Sequence, residues 1–499
     1  MITLKRCLIA NRGEIAVRII RACREIGIQT VALCSDVDSS AHHTRLADQV
    51  YRLADGTPRQ YLNPDALIQA AQETGCDCVH PGYGFLSESP EFAQQVIDAG
   101  LIWVGPLPET IRKMGVKTEA RALMQAANVP LVPGFQSEDA DDGQFMTEAA
   151  RIGYPVMVKA AGGGGGKGIR IVRNEAELLP ALESARREAK NAFNDSRVFL
   201  ERYIEQGRHI EVQIIADSHG HTLHLFEREC STQRRHQKII EETPSPLLDS
   251  ATRAAICAAA VDAARAVNYR NAGTVEFIVT PAREFYFLEM NTRLQVEHPI
   301  TELVTGVDLV QLQFRVAAGE PLPFQQADLH QTGHAIECRI YAEDARNDFL
   351  PATGTVHTFI PPSMPGVRVD AGLQSGDAVT IYYDPMVAKI ITHGRTRQDA
   401  IQRMKQALRE TIILGTTTNI DFLLAILDDP AFQAGDVHTA YVDHHLHDLL
   451  PEMPPLPPMA LIATALGEAS PNTTMTLEGD SDADRYSPWS QADRFRLGR

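Results

Sequence analysis

Residues 289–299, Glu-Met-Asn-Thr-Arg-Leu-Gln-Val-Glu-His-Pro, place acids, amides and a guanidinium at successive odd-numbered positions. If the first half of this stretch is a strand, the two-residue period puts Glu289, Asn291 and Arg293 on one face and the apolar residues between them on the other. A strand that only fills a core has no use for such a polar face. The stretch therefore predicts a binding or catalytic surface.

A β-hairpin is predicted to lead into this stretch, with strands at residues 273–279 and 284–289 around Pro281-Ala282-Arg283. We expect the turn to centre on Ala282 and Arg283. That turn sets the register, which pairs Thr280 with Phe285, Ile278 with Phe287 and Glu276 with Glu289.

The pairing of Glu276 with Glu289 indicates a cation site. Directly opposed carboxylates have Cβ atoms about 5 Å apart and repel each other, so something positive is needed between them. Two carboxylates and the amide of Asn291 are oxygen ligands that suit Mg²⁺, or Mn²⁺ in its place. The alternative is a solvent-facing hairpin whose acids are simply exposed.

Composition limits the classes of partner. A chain of 499 residues with 44% hydrophobic residues should form two to four domains with full cores. The 64 acidic residues outnumber the 47 basic ones, for a net charge of −17, which argues against nucleic-acid or membrane partners. No apolar run reaches a membrane span of about 20 residues, and the first ten residues have too short a hydrophobic core for a signal peptide, so we expect a cytoplasmic protein. The eight cysteines lie mostly inside apolar segments, so we expect buried thiols.

The beginning of the chain predicts a βαβ unit, with strands at 7–10 and 30–33 and a helix at 15–23. The intervening loop, residues 11–14, has one glycine where a dinucleotide fingerprint needs three, which excludes NAD binding there. Further αβ units follow, and the turn-rich loop at 80–85 is a candidate for ligand contacts.

Five consecutive glycines, residues 162–166, separate a strand at 155–161 from another that begins at 169. A Walker A loop would need glycine at Ala161 and Ser or Thr at Gly168, and the G-x-G-x-x-G match is followed by β-branched residues instead of a helix. We therefore expect a flexible flap whose backbone N–H groups lie over phosphates, the alternative being a linker.

Residues 230–238 form a basic segment, after predicted strands at 198–204 and 209–215. Because four acids surround it, Glu227, Glu229, Glu241 and Glu242, the segment favours a small-anion site over a nucleic-acid patch. A third unit is predicted at 334–445. Residues 451–499, rich in proline and polar residues, are predicted to be a linker without a core.

Taken together, five motifs resemble the ATP-grasp enzymes, and among them the biotin carboxylase component of biotin-dependent carboxylases. They are residues 9–16, 80–88, the glycine run, 233–238 and 289–299. The resemblance covers about residues 1–445. It implies an α/β and α+β architecture, an ATP-grasp fold with a Rossmann-like amino-terminal domain, a glycine-rich lid and a mixed carboxyl-terminal domain. The domains implied are 1–116, 117–319 with a lid at about 132–203, 334–445, and a flexible tail at 451–499.

The resemblance also implies roles for individual residues. Those expected to hold ATP are Lys117, Lys159, Gly165, Gly166, Glu201, Arg202, Tyr203, Ile204, His209, Gln233 and His236. Mg²⁺ would be held by Glu276, Glu289 and Asn291. Bicarbonate would be clamped by Lys238, Arg293, Gln295 and Val296, with Glu297 as general base, and biotin would meet Arg339 and Tyr83.

The chemistry implied is the ATP-dependent carboxylation of biotin carried on a separate carrier protein, the first half-reaction of an acetyl-, propionyl- or methylcrotonyl-CoA type carboxylase. Partners implied are a biotin carboxyl carrier, a carboxyltransferase subunit and a second copy in a homodimer. Lys405 follows Met404, as in a carrier motif, but its spacing places it on a surface helix, so we expect no biotin there.

Three alternatives remain at this point. The chain could be another ATP-grasp ligase, the corresponding subunit of pyruvate carboxylase, or a nucleotide-binding regulator without turnover. Two features depart from the biotin carboxylase pattern: Ala345 stands where proline is common, and residues 487–497 look like the segment that follows this region in longer acyl-CoA carboxylase α chains.

Overall fold

The structure of the protein, a computed structural model, describes residues 2–137, 140–160, 170–193, 196–450 and 458–469. The chain divides into two compact units, Met1–Pro451 and Glu452–Arg499. Among the described residues, no helix is long and apolar enough to cross a membrane. The mixed α/β fold expected from the sequence is confirmed.

The first unit begins with a five-stranded parallel sheet, here called the amino-terminal sheet. Its central strand, Arg6–Ile9, pairs with Gln29–Cys34 on one side and Cys78–His80 on the other, and its apolar residues are fully buried, as expected for a strand covered on both faces. The predicted βαβ unit is confirmed. In spatial order the strands are Gln49–Arg52, Gln29–Cys34, Arg6–Ile9, Cys78–His80 and Ile102–Trp103. The helices of this part are Gly13–Glu25, His42–Leu46, Pro64–Glu73, Pro90–Asp98 and Pro108–Gly115, with a 3₁₀ turn at Pro58–Leu62.

A four-stranded antiparallel sheet follows, here called the small sheet. Its strands, in spatial order, are Gly134–Phe135, Val198–Arg202, Val156–Ala160 and Arg170–Val172, and its helices are Asp142–Ile152 and Glu175–Phe193. Val156–Ala160 and Arg170–Val172 are the strands predicted on either side of the glycine run, and the structure shows that they pair directly. The run itself, residues 162–166, and the predicted flap lie outside the described residues.

The largest layer is an eight-stranded antiparallel sheet, here called the central sheet. In spatial order its strands are Phe285–Asn291, Asn271–Val279, Arg208–Ala216, Thr222–Arg234, Gln237–Thr243, His334–Tyr341, Met386–Gly394 and Val367–Ala371. The predicted third unit thus continues the sheet that carries the predicted cation site. Helices Lys117–Ala126, Ser250–Ala266, His298–Thr305, Leu309–Ala317, Arg397–Glu410, Ile420–Asp428, Pro430–Ala434 and Tyr441–Leu449 complete this part, with a 3₁₀ turn at Gln326–Asp328.

Three short antiparallel pairs form separate two-stranded sheets: Glu343–Asp344 with Leu350–Pro351, Gly354–Thr355 with Ala378–Val379, and Thr358–Ile360 with Ile412–Leu414.

One apolar core joins the amino-terminal and central sheets. Ile9 of the amino-terminal sheet and Ile15 of the following helix share one cluster with Ile215 of the central sheet and Leu294, which follows its edge strand, and all four are nearly inaccessible to solvent. Burying this surface is favourable by about 25 cal/mol per Å². The shared core therefore fixes the loop after strand Cys78–His80 against residues 289–299.

The predicted hairpin is present, but its register is only partly as expected. Glu276 does oppose Glu289, whereas Phe287 pairs with Phe277 instead of Ile278, and Phe285 with Val279 instead of Thr280. Thr280 and Glu284 close the turn, which adopts a left-handed backbone at Arg283 and is therefore one residue longer than expected. A bulge at the exposed Leu288 absorbs the extra residue, so the acids meet after all.

The second unit contains a helix, Pro458–Ala469, within the segment that composition predicted to be a linker. Proline is favoured at the first helical position, and the Met-Ala-Leu-Ile-Ala run that follows consists largely of strong helix formers. Its described side chains, 458–466, are all exposed. The remaining residues of the tail lie outside the described part.

Candidate active site

Two cavities meet at residues 289–296. One, of about 270 Å³, is bordered by Lys117, Lys159, Glu289 and Asn291. The other, of about 590 Å³, is bordered by Tyr83, Arg293, Val296 and Arg339. Glu88 borders both. The segment that sequence analysis singled out is therefore the wall between two ligand-sized spaces.

Glu297 lies at the end of this wall, directly before helix His298–Thr305. It is 2% exposed, and its carboxylate accepts hydrogen bonds from Lys238 Nζ at 2.7 Å and from Arg339 Nη2 at 3.0 Å. Burial opposes its ionisation, but Lys238, Arg339 and Arg228 outweigh that effect and hold the pKa of Glu297 well below its usual range. The group is an ionised carboxylate, able to accept a proton.

Lys238 is the hub of the buried charges. Its Nζ contacts three carboxylates, at 2.6 Å from Glu211, 3.0 Å from Glu276 and 2.7 Å from Glu297. Burial lowers the pKa of a lysine, yet these three partners raise that of Lys238 well above its ordinary value. A permanent cation thus stands between the predicted cation site and the predicted base.

The residues predicted to hold a divalent cation meet on adjacent strands. Glu276 accepts hydrogen bonds from Asn291 Nδ2 and Gln295 Nε2, both at 2.9 Å, and its other oxygen lies 3.1 Å from His209 Nε2. Glu289 lies on the cavity side of its strand. Loss of hydration and then the charge of Glu276 raise the pKa of Glu289.

This donor set fits a divalent cation. Two opposed carboxylates, one of which is hard to ionise because of burial and of the charge of the other, would both be stabilised by a hard cation, and their oxygens are the ligands that Mg²⁺ prefers. Such an ion would neutralise charge on a polyphosphate in the smaller cavity.

Arg293 and Arg339 are two of the three arginines that border the larger cavity among the described residues, the third being Arg12. Arg293 donates from Nε to Glu88 at 2.9 Å and from Nη2 to Asn291 Oδ1 at 2.9 Å. Arg339 donates from Nε to Glu241 at 2.7 Å and reaches Glu297 from Nη2. Both side chains are oriented by carboxylates, so each presents a fixed charge at the cavity, where it can stabilise an anionic oxygen.

Tyr83 completes that cavity. Its loop is held by Asn11, whose Nδ2 donates to the carbonyls of Pro81 and Tyr83, each at 2.7 Å. The buried Tyr83 hydroxyl has no hydrogen-bond partner among the described residues. A buried hydroxyl without a partner costs free energy, which a polar ligand could recover.

The basic residues of segment 230–238 do not all point to one place, contrary to what the sequence suggested. Arg234 and Arg235 turn towards Glu343 and Asp348, and of the basic residues between 233 and 238 it is Lys238 that reaches the charged cluster. The two residues of the turn, Arg235 and His236, have left-handed backbone conformations. They form a tight hairpin turn, which sends alternate side chains to opposite faces.

Three of the four acids expected to surround that segment pair with arginines outside it. Glu227 pairs with Arg253, Glu229 with Arg208, and Glu242 with Arg397. Glu241 instead contacts Arg339 in the site, and burial raises its pKa to about 7, although Arg339 opposes the change.

Several further residues of the site were missed by sequence analysis. Arg228 is wholly buried and donates to Glu211, Gln213, Thr301, Thr274 and Gln295, at 2.6 to 3.1 Å. It thereby fixes Glu211, which holds Lys238, and Gln295, which holds Glu276. The acid-base alternation at 227–229 was a weak signal, since charged residues on strands are more often exposed.

The remaining predicted residues differ in their placement. Lys117, Lys159 and Glu201 border the smaller cavity, where Glu201 pairs with both Lys159 and Arg121. The following are not among the described residues that border either cavity: Arg202, Tyr203, Ile204, Gln233 and His236. Gly165 and Gly166 lie outside the described residues.

Three family models match successive parts of the chain. They are described as the biotin carboxylase N-terminal domain, at residues 3–111, the ATP-binding domain of the carbamoyl-phosphate synthase L chain, at 116–325, and the biotin carboxylase C-terminal domain, at 337–444.

Similar curated proteins include the mitochondrial methylcrotonoyl-CoA carboxylase subunit alpha of Rattus norvegicus. It is 46% identical over 498 residues, which cover 99% of this chain and 70% of that protein. Biotin carboxylase 2 of Bacillus subtilis is 49% identical over 442 residues, which cover 88% of this chain and 99% of that protein.

Similar solved structures include the biotin carboxylase domain dimer of 2-oxoglutarate carboxylase from Hydrogenobacter thermophilus, in complex with MgADP, ADP and bicarbonate. Its TM-score is 0.85 at 43% identity, covering 91% of this chain and all of that one. The biotin carboxylase subunit of a pyruvate carboxylase gives a TM-score of 0.81 at 44% identity, covering 90% of this chain and 100% of that one.

Proposed function

The chain belongs to the biotin carboxylase family, and we propose from this premise that its two cavities serve the two halves of one reaction. The protein is an ATP-dependent ligase that carboxylates biotin with bicarbonate, as part of an acyl-CoA carboxylase. One observation carries the assignment of residues. The segment that holds Glu289, Arg293 and Glu297 separates a space lined by lysines and acids from one whose lining includes Arg293, Arg339 and Tyr83.

The smaller cavity is the place we assign to the phosphates of ATP. Lys117 and Lys159 supply positive charge, and Glu276, Glu289 and Asn291 would hold Mg²⁺. His209 lies beside Glu276, which raises the pKa of the imidazole against the effect of burial. We keep Gly165, Gly166, Glu201, Arg202, Tyr203, Ile204, Gln233 and His236 as predicted ATP contacts.

Bicarbonate is assigned to the wall between the cavities, where Lys238, Arg293, Gln295 and Val296 would bind it. There Glu297 removes the proton of bicarbonate while a bicarbonate oxygen attacks the γ-phosphate, which yields carboxyphosphate and ADP. The strong pairing of Glu297 makes it a weak base at rest. A bound anion that draws Lys238 and Arg339 towards itself would raise the pKa of Glu297 and strengthen the base.

Biotin is assigned to the larger cavity. Carboxyphosphate breaks down to CO₂ and phosphate, and the phosphate takes the proton from the ureido nitrogen of biotin. The resulting negative charge on the ureido oxygen would be stabilised by Arg339, with the Tyr83 hydroxyl as a further hydrogen-bond partner, while the deprotonated nitrogen attacks CO₂ to form the N–C bond of carboxybiotin. At about 590 Å³ this cavity has the size typical of a small-molecule site and is large enough for the bicyclic head of biotin.

We further propose that biotin arrives on a separate carrier protein, that the chain works as a homodimer in the cytoplasm, and that a carboxyltransferase subunit completes the enzyme. The solved domain from Hydrogenobacter thermophilus is described as a dimer. Because the match to the rat α subunit covers 99% of this chain, it includes most of residues 451–499, so we assign that tail to contacts within such an assembly. The domain division 1–116, 117–319, 334–445 and 451–499 is likewise a proposal.

The decisive measurement is phosphate release from MgATP by the purified protein, with and without bicarbonate and free biotin, together with transfer of labelled bicarbonate to biotin. We expect release to require bicarbonate and to rise with biotin. Turnover that is independent of bicarbonate, or that requires another carboxylate and an amine or thiol, would refute the proposal and favour another ATP-grasp ligase.

The pyruvate carboxylase alternative shares this half-reaction and differs only in the acceptor. Mixing the protein with a carrier and each type of carboxyltransferase would distinguish the two, through the acid or thioester that becomes labelled.

A further inference from the structure

The carbonyl groups of residues 295 and 296 are both bonded to the protein interior. Lys389 Nζ donates to the Val296 carbonyl at 2.6 Å, and the His298 ring, through Nδ1, lies 2.8 Å from the Gln295 carbonyl. Lys389 and His298 are both fully buried. Burial, followed by the charges of Lys389 and two arginines, holds the pKa of His298 well below its usual value, so its ring is neutral and donates one N–H.

These two bonds fix the direction of the neighbouring N–H groups. In a planar trans peptide the N–H points away from the carbonyl of the preceding residue. With the carbonyls of Gln295 and Val296 held inward, the N–H groups of Val296 and Glu297 are turned the other way, on the side of the larger cavity that Val296 borders. Neither N–H donates to an acceptor among the described residues. Two adjacent unpaired N–H groups form a concave donor pair suited to an anion.

Lys389 is itself held on several sides. In the central sheet it stands between Arg339 and Asp370 on the neighbouring strands, and its Nζ lies 3.2 Å from Glu14 Oε1 of the amino-terminal part. Burial lowers the pKa of a lysine and so favours its neutral form. Glu14, Glu337 and Asp370 outweigh this effect, raise the pKa of Lys389 and keep it charged. A charged donor makes a stronger bond to a carbonyl than a neutral one.

We propose that Lys389 is a positioning residue for bicarbonate, an inference that rests on the proposed function. By holding the Val296 carbonyl it aims the N–H groups of Val296 and Glu297 at the anion and keeps the Glu297 carboxylate in reach of its proton. Lys389 does not touch the substrate. Its effect should therefore be seen in the affinity for bicarbonate more than in the affinity for ATP.

The test is Lys389→Met, which keeps the length of the side chain and removes the donor. We expect the KM for bicarbonate to rise about tenfold or more, the loss associated with one buried charged hydrogen bond, while the KM for MgATP changes less than about threefold. Lys405→Met is the matched control, because Lys405 also pairs with a carboxylate, that of Asp428, but on a surface helix. Its bicarbonate kinetics should equal those of the wild type.

A second variant separates positioning from folding. Lys389→Met leaves the buried Glu14 carboxylate without its cation, so the protein should lose stability. Glu14→Gln combined with Lys389→Met removes that unpaired charge and should recover most of the melting temperature, but the KM for bicarbonate should stay high. Recovery of both together would overturn the inference, as would an unchanged KM in Lys389→Met. If the wild type itself shows no bicarbonate dependence, the proposed function fails first.

Discussion

Replacing Glu297 with glutamine gives the sharpest test of the assigned chemistry. The substitution keeps the size of the side chain and removes a carboxylate that accepts from Lys238 and Arg339 at 2.7 and 3.0 Å. Loss of a positioned base typically lowers a rate by about 10² to 10⁴-fold, equivalent to about 3 to 5 kcal/mol in activation free energy. We therefore expect kcat for bicarbonate-dependent phosphate release to fall by at least a hundredfold.

The same substitution should not weaken anion binding. Lys238 keeps Glu211 and Glu276 as partners and Arg339 keeps Glu241, so both cations remain in place. The site becomes more positive by one charge, which favours bicarbonate. The KM for bicarbonate should stay the same or fall, opposite to the effect expected for Lys389→Met, and calorimetry should show nearly unchanged affinity for MgATP.

Stability provides an independent measurement. Because both cations remain paired, Glu297→Gln should lower the free energy of unfolding by about 1 to 3 kcal/mol. That is less than the cost of removing one partner of a buried ion pair and leaving the other charge unpaired. Glu297 has a pKa well below its unfolded value of about 4.3, so its stabilising effect is present above that pH and is lost as the pH falls towards the folded value. The difference in unfolding free energy between wild type and variant should thus be constant from pH 6 to 8 and shrink below about pH 4.

Glu302→Gln is the matched control, since Glu302 is also buried, has a lowered pKa and pairs with Arg18 and Arg368 away from the cavities. It should lose comparable stability but little kcat. A Glu297→Gln protein that keeps more than about a tenth of the wild-type kcat, or that loses MgATP affinity in parallel, would refute the assignment of the base.

Three further outcomes are expected. Glu276→Gln and Glu289→Gln should each lower phosphoryl transfer and raise the Mg²⁺ concentration needed for half-maximal rate, because each removes a charged ligand; wild-type Mg²⁺ dependence in both would contradict the metal assignment. Glu337→Gln should have a higher melting temperature than the wild type at pH 8 but not at pH 4. Burial raises the pKa of Glu337 well above its ordinary value, and a carboxyl group with a raised pKa loses its stabilising effect as the pH rises. Thermal melts at the two pH values decide this. Deleting residues 451–499 should spare carboxylation of free biotin, and the full chain co-expressed with a biotin ligase should give no avidin signal; loss of activity in the deletion or a positive signal would show that the tail or a lysine of this chain has another role.

Much of the site was predictable from the sequence, for reasons that are local. The alternation along 289–293 and the turn at 281–283 correctly predicted that Glu276 lies opposite Glu289. The turn is one residue longer than predicted, but the bulge at Leu288 compensates for the extra residue and restores the pairing register. Strand boundaries around the glycine run and the βαβ opening were likewise set by hydrophobic period and turn residues. The resemblance of five motifs then supplied roles that no spacing could show.

The partners of the charges were decided by tertiary structure alone. Lys238 reaches Glu297 across 59 positions of sequence, and Lys389 reaches Val296 across 93. Both contacts form because the segment that follows the edge strand Phe285–Asn291 meets strands Gln237–Thr243 and Met386–Gly394, which lie well away from that strand in the order of the central sheet. Arg228 looks like an exposed strand residue in the sequence and is wholly buried in the fold. Periodicity tells which face of a strand a side chain occupies, but not which strand lies beside it. The neighbour across the sheet, and with it the protonation of every buried acid in the site, is chosen by how the sheets pack.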